Sequence, residues 1–415
     1  MAARLAAVES PAFDARREAR EKASGAEQSP IVYAEGSGAN VVDVDGNRYV
    51  DLVAGFGALL LGHRPERIAR AVAAQTDKLW LALGDVYASD VKVDLCERLA
   101  KLGPQGSRVM LGLSGADAVT AAMKTAMLAT GRPGVVAFSG AYHGLGYAPL
   151  AACGLHEAFR APFAAQLGEH VTFAPYPSSD LDASLSAVRA AMKTGTVGAL
   201  LVEPILGRGG CVVPPRAFLG ELRAVCDEHD VLLVADEIWT GLGRSGSLLA
   251  SGGVADVVCI GKGLGAGFPI SACVGSERAM RAWGAHGGST IHTATHFGSP
   301  VACAAALAML DALADGALAK RAGEVGARWM TRLRARTETL GVREVRGRGL
   351  MVGLELDGGG GRALATTRAL LRGGWITLTG GMKGDVITLT PPLDIDEALL
   401  DAFADALGRA LSEAS

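Results

Sequence analysis

A carboxylate and a lysine stand 26 residues apart, and each comes at the end of an apolar run. The run from 231 to 235 ends in Asp236 and Glu237, and the run from 254 to 260 leads to Lys262. Short β-branched apolar runs are typical of strands buried on both faces. Residues just past the carboxyl ends of such strands face the ligand crevice of an open α/β sheet. We therefore predict that Asp236 and Lys262 lie at the tips of two neighbouring strands and carry the chemistry.

Lys262 lies between two glycines, which allow a bulky ligand to approach the backbone closely. A lysine in an apolar site loses part of its preference for the charged form and becomes a better nucleophile for a carbonyl. An ordinary surface lysine is the alternative. Asp236 is a candidate partner for the ring nitrogen of pyridoxal phosphate, which a carboxylate keeps protonated. A helix cap or a metal ligand is the other interpretation of Asp236, but no His/Asp/Glu cluster lies near it in the sequence.

Two further segments follow short predicted strands. Ser114-Gly115-Ala116-Asp117 comes after the run 108–112 and opens an amphipathic helix, so its backbone N–H groups are available to an anion such as phosphate. Tyr142 and His143 come after the run 135–138. The Tyr142 ring has the shape to stack on a flat cofactor, or else it caps the sheet. A histidine in this place is more often a hydrogen-bonded structural residue than a catalytic one.

The elements around these residues predict an α/β protein. Between 108 and 275, short apolar runs alternate with helical stretches, which indicates a mainly parallel sheet covered by helices. The Asp45-Gly46-Asn47 turn predicts a β-hairpin near the N-terminus. From Pro300 we predict a long helix to about residue 325, a second to about 340, and a smaller α+β unit, in which Gly358–Gly361 and the region Thr377 to Gly384 are turns. We expect an N-terminal arm with part of the small domain (1–50), a large domain (51–299) and a small C-terminal domain (300–415).

Composition restricts the partners and the location. The net charge of −3 gives no reason to expect nucleic acid or an acidic membrane surface as a partner. No apolar run approaches the roughly 20 residues of a membrane span, and the N-terminal residues lack the apolar segment of a secretory signal. Seven cysteines are scattered singly, which favours buried reduced thiols over a metal site or disulfides. We expect a cytoplasmic protein without a metal.

Nine short segments follow one another along the chain: DVDGNRYVDL (43–52), LSGADAVTAAMKTA (113–126), GAYHG (140–144), VEPILGRGG (202–210), DEIWTGLGRSG (236–246), GKGLGAGFP (261–269), THFGSPVACAAALA (295–308), RGRGLMVGLEL (346–356) and PPL (391–393). In this order they resemble the class III aminotransferases, pyridoxal-phosphate enzymes of fold type I that include omega-amino acid and amine transaminases. The resemblance covers roughly residues 30 to 410.

The resemblance implies a role for each matching residue of the catalytic centre. Lys262 would form a Schiff base with the cofactor and then carry the proton, and Asp236 would bind the pyridinium nitrogen. Gly115 and Ala116 would hold the phosphate through backbone N–H groups. Thr295 would add a hydroxyl to that phosphate from the neighbouring subunit, so a homodimer with shared active sites is implied.

The resemblance also implies contacts around the cofactor ring and the substrate. Tyr142 would stack on one face of the ring, with His143 beside it, and Ile238 would pack on the other face. Glu203 would lie next to the substrate pocket. This agrees with its position after the apolar run Ala199–Val202, although an ion pair at a domain boundary is the alternative for Glu203.

One departure from the family pattern affects the substrate pocket. Many members carry an arginine three residues before the PP of the last strand, where it grips the substrate carboxylate, but here that place holds Thr388. A threonine cannot form a bidentate clamp. Either another cation substitutes, with Lys383 and Arg348 as candidates, or one substrate lacks a carboxylate there. If nothing substitutes, the unneutralised Glu203 would itself attract a substrate cation.

Trp239 stands where some members have a glutamine that touches the phenolic oxygen of the cofactor, and its indole can only donate. Asp117 shortens the usual glutamate of the phosphate loop, a structural change.

The resulting prediction is an aminotransferase that moves an amino group from an amine or amino acid to a 2-oxo acid, aldehyde or ketone. An amino-acid racemase or epimerase, or a decarboxylating member, would use the same Lys262 and Asp236 and is the alternative.

Overall fold

The computed structural model describes residues 1–285 and 287–413. Its strands form three sheets. The strands are β1 (Tyr33–Ser37), β2 (Asn40–Asp43), β3 (Arg48–Asp51), β4 (Arg108–Gly112), β5 (Gly134–Phe138), β6 (Val171–Ala174), β7 (Val197–Val202), β8 (Leu232–Asp236), β9 (Val257–Ile260), β10 (Ser271–Gly275), β11 (Val342–Arg348), β12 (Met351–Leu356), β13 (Trp375–Ile376), β14 (Leu378–Gly380) and β15 (Val386–Leu389).

The helices are α1 (Ala2–Ala6), α2 (Pro11–Ser24), α3 (Ala54–Gly57), α4 (Glu66–Thr76), α5 (Asp90–Ala100), α6 (Gly115–Thr130), α7 (Tyr147–Ala151), α8 (Glu157–Arg160), α9 (Leu181–Met192), α10 (Phe218–His229), α11 (Glu277–Met280), α12 (Pro300–Ala312), α13 (Ala317–Thr337), α14 (Gly359–Arg372) and α15 (Glu397–Glu413). Three 3₁₀ helices are also present, at Ala161–Gln166, Lys262–Gly265 and Arg281–Ala285.

The central sheet has seven strands in the order β4-β10-β9-β8-β7-β5-β6. The pairs β9-β8, β8-β7, β7-β5 and β5-β6 are parallel, and β10 runs antiparallel to both β9 and β4. Every residue of β5, β7, β8, β9 and β10 is buried, as their continuous apolar runs predict for strands covered on both faces. The predicted α/β fold with a mainly parallel sheet is confirmed.

The strand directions bring the predicted site residues to one edge of this sheet. β4 points the same way as β5, β7, β8 and β9, because both β4 and β9 are antiparallel to β10. The carboxyl ends of these five strands therefore lie along one edge. Asp236 is the last residue of β8, Glu203 follows β7 directly, and Lys262 comes two residues after the end of β9.

Two four-stranded sheets accompany the central one, in the orders β1-β2-β3-β13 and β11-β12-β15-β14. The predicted N-terminal hairpin is present as β2 and β3, which pair antiparallel. Its sheet is completed by β13 from the C-terminal part of the chain, which pairs parallel with β3. Helix α14 packs against α2, so the first and last parts of the chain are in contact.

Three local predictions were wrong. The helix predicted over 301–325 is broken between α12 and α13, where Gly316 has a φ of 71°, the left-handed region that glycine adopts without steric cost. The run Gly358–Gly361 is not simply a turn, because α14 begins at Gly359. The segment from 377 to 384 contains strand β14, which is stabilised by pairing with β15 rather than by its own propensity.

All seven cysteines are free, and six of them are buried. In the described part of the chain no group of three or more His, Cys, Asp or Glu side chains is arranged to hold a metal ion. Within residues 1–285 and 287–413, no single helix is long and apolar enough to cross a membrane. The pair α12 and α13 passes by length and composition together, but a bend of 68° separates the two helices.

Candidate active site

Two cavities lie at the carboxyl edge of the central sheet. The inner cavity has a volume of about 260 Å³ and contains nearly all of the site residues that the sequence predicted. The outer cavity, of about 410 Å³, shares Leu145 and Trp239 with it. The inner cavity is lined by Ser114, Gly115, Ala116, Tyr142, His143, Gly144, Leu145, Glu203, Asp236, Ile238, Trp239 and Lys262.

Asp236 is buried and held from two sides. Its Oδ2 lies 2.7 Å from Nδ1 of His143, and its Oδ1 accepts the Ile238 backbone N–H at 3.1 Å. The His143 ring is buried, and its Nε2 has no partner among the described residues. Glu237 lines neither cavity, because its carboxylate is bonded to Thr240 and Ser251. Of the two carboxylates that end the apolar run, Asp236 is therefore the one that faces the inner cavity.

Lys262 opens a 3₁₀ helix directly after β9, with a φ of 37°, a left-handed conformation that is costly for a residue with a side chain. Its Nζ lies 4.8 Å from the centroid of the Trp239 ring. Burial lowers the pKa of the Lys262 amine; the Asp236 and Glu203 carboxylates oppose this, and Arg208 adds to it. The Lys262 side chain is partly accessible because it faces the cavity. The lowered pKa favours the neutral amine, which is the nucleophilic form.

The N-terminus of α6 forms another wall of the inner cavity. Ser114 and Asp117 form a reciprocal capping box, in which Asp117 accepts the backbone N–H groups of Leu113 and Ser114. The aspartate therefore does the structural work expected of it. The N–H groups of Gly115 and Ala116, in the first turn, have no acceptor inside the helix. A Cβ on Gly115 would lie 2.8 Å from the Ile238 side chain, so a larger residue there would displace Ile238.

Glu203 is buried, but it does not lack partners. Its Oε1 accepts the backbone N–H of Tyr142 at 2.7 Å, and its Oε2 accepts that of Gly207 at 2.9 Å. Burial raises the pKa of Glu203 to about 7, and the nearby Asp236 charge adds to the rise. These two backbone N–H groups stabilise the Glu203 carboxylate in place of the family arginine that is absent at Thr388. Through them, Glu203 links the loop after β5 to the loop after β7.

Trp239 is 9% exposed and forms the boundary between the two cavities. Glycines lie against both edges of its ring: a Cβ on Gly57 would be 2.3 Å from its Nε1, and a Cβ on Gly207 would be 2.3 Å from its Cε3. Its indole N–H is buried and has no acceptor among the described residues. This donor is available to a bound molecule. Tyr142 lines the inner cavity and carries the guanidinium of Arg208 over its ring, at 4.4 Å from the centroid.

Thr388 lines the outer cavity, where its buried Oγ1 has no partner among the described residues. Neither of the cations considered as substitutes lines that cavity. The Lys383 side chain is exposed, and Arg348 donates to the Ala250 carbonyl. The arginines that do line it, Arg16, Arg20 and Arg208, were not singled out from the sequence. Arg208 could have been found from the sequence, because it is a cation in the same short segment, 202–210, as Glu203.

Thr295 is exposed and lines neither cavity of its own chain. It is the one predicted cofactor contact that the structure does not bring to the inner cavity.

The chain is similar to known proteins over most of its length. Residues 22–411 match the family model of class-III aminotransferases. The chain is 34% identical over 392 residues to an acetylornithine aminotransferase of Methanothermobacter thermautotrophicus, covering 93% of this chain and 95% of the relative. It is 40% identical over 396 residues to one of Mycobacterium bovis, covering 93% and 92%.

Solved structures agree with this match. An amine transaminase from an uncultivated Pseudomonas species, in a form with bound pyridoxal phosphate, superposes with a TM-score of 0.86 at 30% identity, covering 94% of this chain and 96% of that one. An ornithine aminotransferase of Toxoplasma gondii gives a TM-score of 0.84 at 29% identity, covering 97% and 94%. None of these four relatives is an isomerase or a decarboxylase, so nothing in the comparisons favours the racemase alternative. The chain belongs to the class-III aminotransferase family and is a pyridoxal-phosphate-dependent enzyme of fold type I that transfers amino groups.

Proposed function

We propose that the inner cavity holds pyridoxal phosphate between Asp236 and Lys262, and that the enzyme moves an amino group from an amine or amino-acid donor to a 2-oxo acid, aldehyde or ketone. The observation that carries this proposal is the presence of a buried carboxylate, a lysine of lowered pKa and an open helix N-terminus around one cavity of about 260 Å³. These are the handles for a ring nitrogen, an aldehyde and a phosphate.

The residues present fit this cofactor. The helix N-terminus at Gly115 and Ala116 suits a dianionic phosphate, and Gly115 leaves space where a side chain would clash with Ile238. A Cβ on Gly144 would lie 2.9 Å from that of Ala116, so the wall opposite the helix also depends on a glycine. The buried N–H of Trp239 has no acceptor in the described chain, which supports a bound acceptor such as the phenolic oxygen.

When bound, the cofactor supplies an electron sink that makes the Cα proton of an amine acidic. Asp236 would bind the ring nitrogen, and the hydrogen bond to His143 fixes the orientation of its carboxylate. Lys262 would hold the cofactor at its aldehyde, and its amine of lowered pKa would accept the Cα proton at Nζ and return it. Tyr142 and Ile238, which both line the inner cavity, would hold the ring from its two faces.

The test is a half-reaction. The purified holoenzyme, incubated with an amino donor alone, is expected to lose its visible absorbance as the cofactor takes up the amino group. A racemase would keep that absorbance while the optical rotation of the donor decays. Borohydride should attach the cofactor to Lys262, as read by peptide mass spectrometry. Lys383→Ala, which removes an exposed lysine, is the matched control. Absence of a visible band together with absence of labelling at Lys262 contradicts the proposal.

For the donor, Thr388 supports a specific expectation. Since it cannot clamp a carboxylate, we expect short γ-amino acids to be poor donors compared with amines or with amino groups on larger scaffolds. The names of the relatives, acetylornithine aminotransferase and amine transaminase, are compatible with such donors. A screen of amines, amino acids and amino sugars in which 4-aminobutyrate is the best donor would contradict this.

We also propose a cytoplasmic homodimer whose two active sites share residues. Thr295 then serves the partner's site. An exposed apolar segment, with Trp80 72% and Leu83 63% accessible, is the surface that the second copy would cover. In mixed dimers of Lys262→Ala and Thr295→Val subunits, one site has both residues intact and should recover full cofactor affinity. Mixing without recovery would place Thr295 in its own subunit.

The division at residues 50 and 299 remains our proposal for the domains. The contact between α2 and α14 and the pairing of β13 with β3 support the inclusion of the N-terminal arm in the small domain. A fragment covering 51–299 that melts as a separate cooperative unit would support the division, and a fragment without cooperative melting would argue against it.

A further inference from the structure

The outer cavity carries unbalanced positive charge. Its lining includes Arg16, Arg20 and Arg208, here called the arginine cluster, and no aspartate or glutamate among the described residues. Within residues 1–285 and 287–413, none of the three makes an ion pair with a carboxylate. Burial lowers the pKa of Arg20, and repulsion from Arg16 and Arg208 lowers it further. Like charges gathered without a counter-ion in a cavity indicate that an anion completes the site.

Arg208 is held in a fixed position. Its guanidinium lies 4.4 Å from the centroid of the Tyr142 ring, and its carbonyl accepts the Gly381 N–H at 2.8 Å. A guanidinium that is stacked on an aromatic ring is already ordered, so it loses little entropy when it binds a planar carboxylate. Arg20 reaches the same cavity from α2 and donates to Thr379 Oγ1 at 3.0 Å.

The arginine cluster lies beside the place where the family arginine is missing. A Cβ built on Gly380 would lie 2.6 Å from Thr388 Oγ1 and 3.4 Å from the Arg208 carbonyl oxygen, so these three residues meet. Thr388 Oγ1 is buried and has no partner among the described residues. An unpartnered hydroxyl and two guanidinium groups around one space provide the donors that a carboxylate needs.

We infer that Arg208, supported by Arg20 and Thr388, is the carboxylate-binding residue of the substrate pocket. It lines the outer cavity and not the inner one, which contains Lys262. The substrate class is therefore an amine or carbonyl compound whose carboxylate is several bonds away from the reacting carbon, longer than a γ-amino acid. This inference rests on the proposed function, because the reacting end of the substrate is taken to lie at Lys262.

The first test is direct binding. Adipate, a dicarboxylate that cannot react, is titrated into the holoenzyme by calorimetry. We expect Arg208→Gln to weaken adipate binding at least about tenfold, as for loss of a charge-assisted hydrogen bond. Arg208→Lys should keep part of the affinity, because the charge remains but the planar fork is lost. Arg20→Gln, on a separate element, should weaken binding independently. Arg70→Gln, an exposed arginine of α4 outside both cavities, is the control.

The second test is donor selectivity. The ratio of kcat/KM for 6-aminohexanoate to that for hexan-1-amine should fall at least about tenfold in Arg208→Gln and stay constant in Arg70→Gln. The two donors differ in one carboxylate, so the ratio cancels any general loss of activity or folding. An unchanged ratio and unchanged adipate binding in both Arg208→Gln and Arg20→Gln overturn the inference.

The two tests separate this inference from the proposed function. Should neither donor react in wild-type enzyme while adipate still binds through Arg208, the proposed function fails and the anion site stands. Should both donors react with an arginine-independent ratio, the proposed function stands and the carboxylate assignment fails.

Discussion

The inner and outer cavities meet at Trp239, but their charges are balanced in different ways. In the inner cavity, Asp236 and Glu203 each have two hydrogen-bond partners supplied by the loops at the edge of one sheet. In the outer cavity, Arg20 and Arg208 have no carboxylate partner in the described chain. The first arrangement is complete before a substrate arrives, as preorganised catalysis requires, and the second is completed by what it binds. Reaction type and substrate choice are therefore encoded by separate sets of residues, although Glu203 and Arg208 belong to the same loop.

The largest effect on activity is expected from a substitution in the inner cavity. Lys262→Ala removes the amine that accepts the Cα proton, and we expect kcat to fall about 10,000-fold or more. Single-turnover conversion of the donor measures the loss, with the melting temperature as a folding control. Activity within about tenfold of wild type would place the proton-accepting group elsewhere.

Asp236→Asn keeps the shape of the side chain and removes its charge. Because the ring nitrogen then has no anion to hold its proton, we expect kcat to fall about 100- to 1000-fold with a smaller change in cofactor affinity. The loss should be seen with 6-aminohexanoate and hexan-1-amine alike, since Asp236 does not line the outer cavity. A loss confined to the carboxylated donor would show that the two cavities are not separate in function.

The positive charge of Arg208 in the outer cavity should affect the pKa of Lys262 in the inner cavity. In cofactor-free enzyme, the Lys262 amine reacts with a carbonyl reagent only when neutral, so the rate rises with pH through the pKa of Lys262. Because burial lowers that pKa and Arg208 lowers it further, the midpoint should lie below the 10.5 of an ordinary lysine, and Arg208→Gln should raise it. Borohydride trapping across a pH series gives the midpoint. A lower midpoint in Arg208→Gln than in the wild-type enzyme would contradict the prediction that Arg208 lowers the pKa of Lys262.

The smallest effect is expected for Thr388→Val. The substitution keeps the shape of the residue and removes a buried hydroxyl that has no partner among the described residues, so the free energy of unfolding should rise or stay within about 1 kcal/mol. Adipate binding should weaken only a few-fold. Urea unfolding of the ligand-free enzyme provides the measurement, and a loss of several kcal/mol would mean that Thr388 belongs to the packing of the fold rather than to the pocket.

The sequence was a good guide to residues whose position is set by the strand directly before them. Asp236, Glu203 and Lys262 follow apolar runs, and the parallel direction of those runs is enough to bring the three together at one edge of the sheet. Asp117 was expected to be structural because it shortens the usual glutamate of the phosphate loop, and the structure shows it in a capping box with Ser114.

The sequence was a poor guide where distant segments meet. Arg20 reaches the outer cavity only because α2 packs against α14, and no local pattern indicates where a polar N-terminal helix docks. Lys383 was the cation nearest in sequence to Thr388, yet its side chain is exposed. It lies in the turn between β14 and β15, and a short distance along the sequence does not determine the direction of a side chain in a turn. The long helix predicted after Pro300 failed at Gly316 for a similar reason, since its apolar pattern continues through the break.

The left-handed backbone of Lys262 sets stability and catalysis in opposition at a single residue. A glycine would adopt a φ of 37° without strain, whereas a lysine loses on the order of 1–3 kcal/mol of folding stability there. Selection for a more stable fold would remove the side chain, and only selection for activity keeps it. A library of this enzyme sorted by thermal stability alone would therefore accumulate inactive proteins that fold better than their parent, and sorting for turnover at the same time is needed to keep the amine.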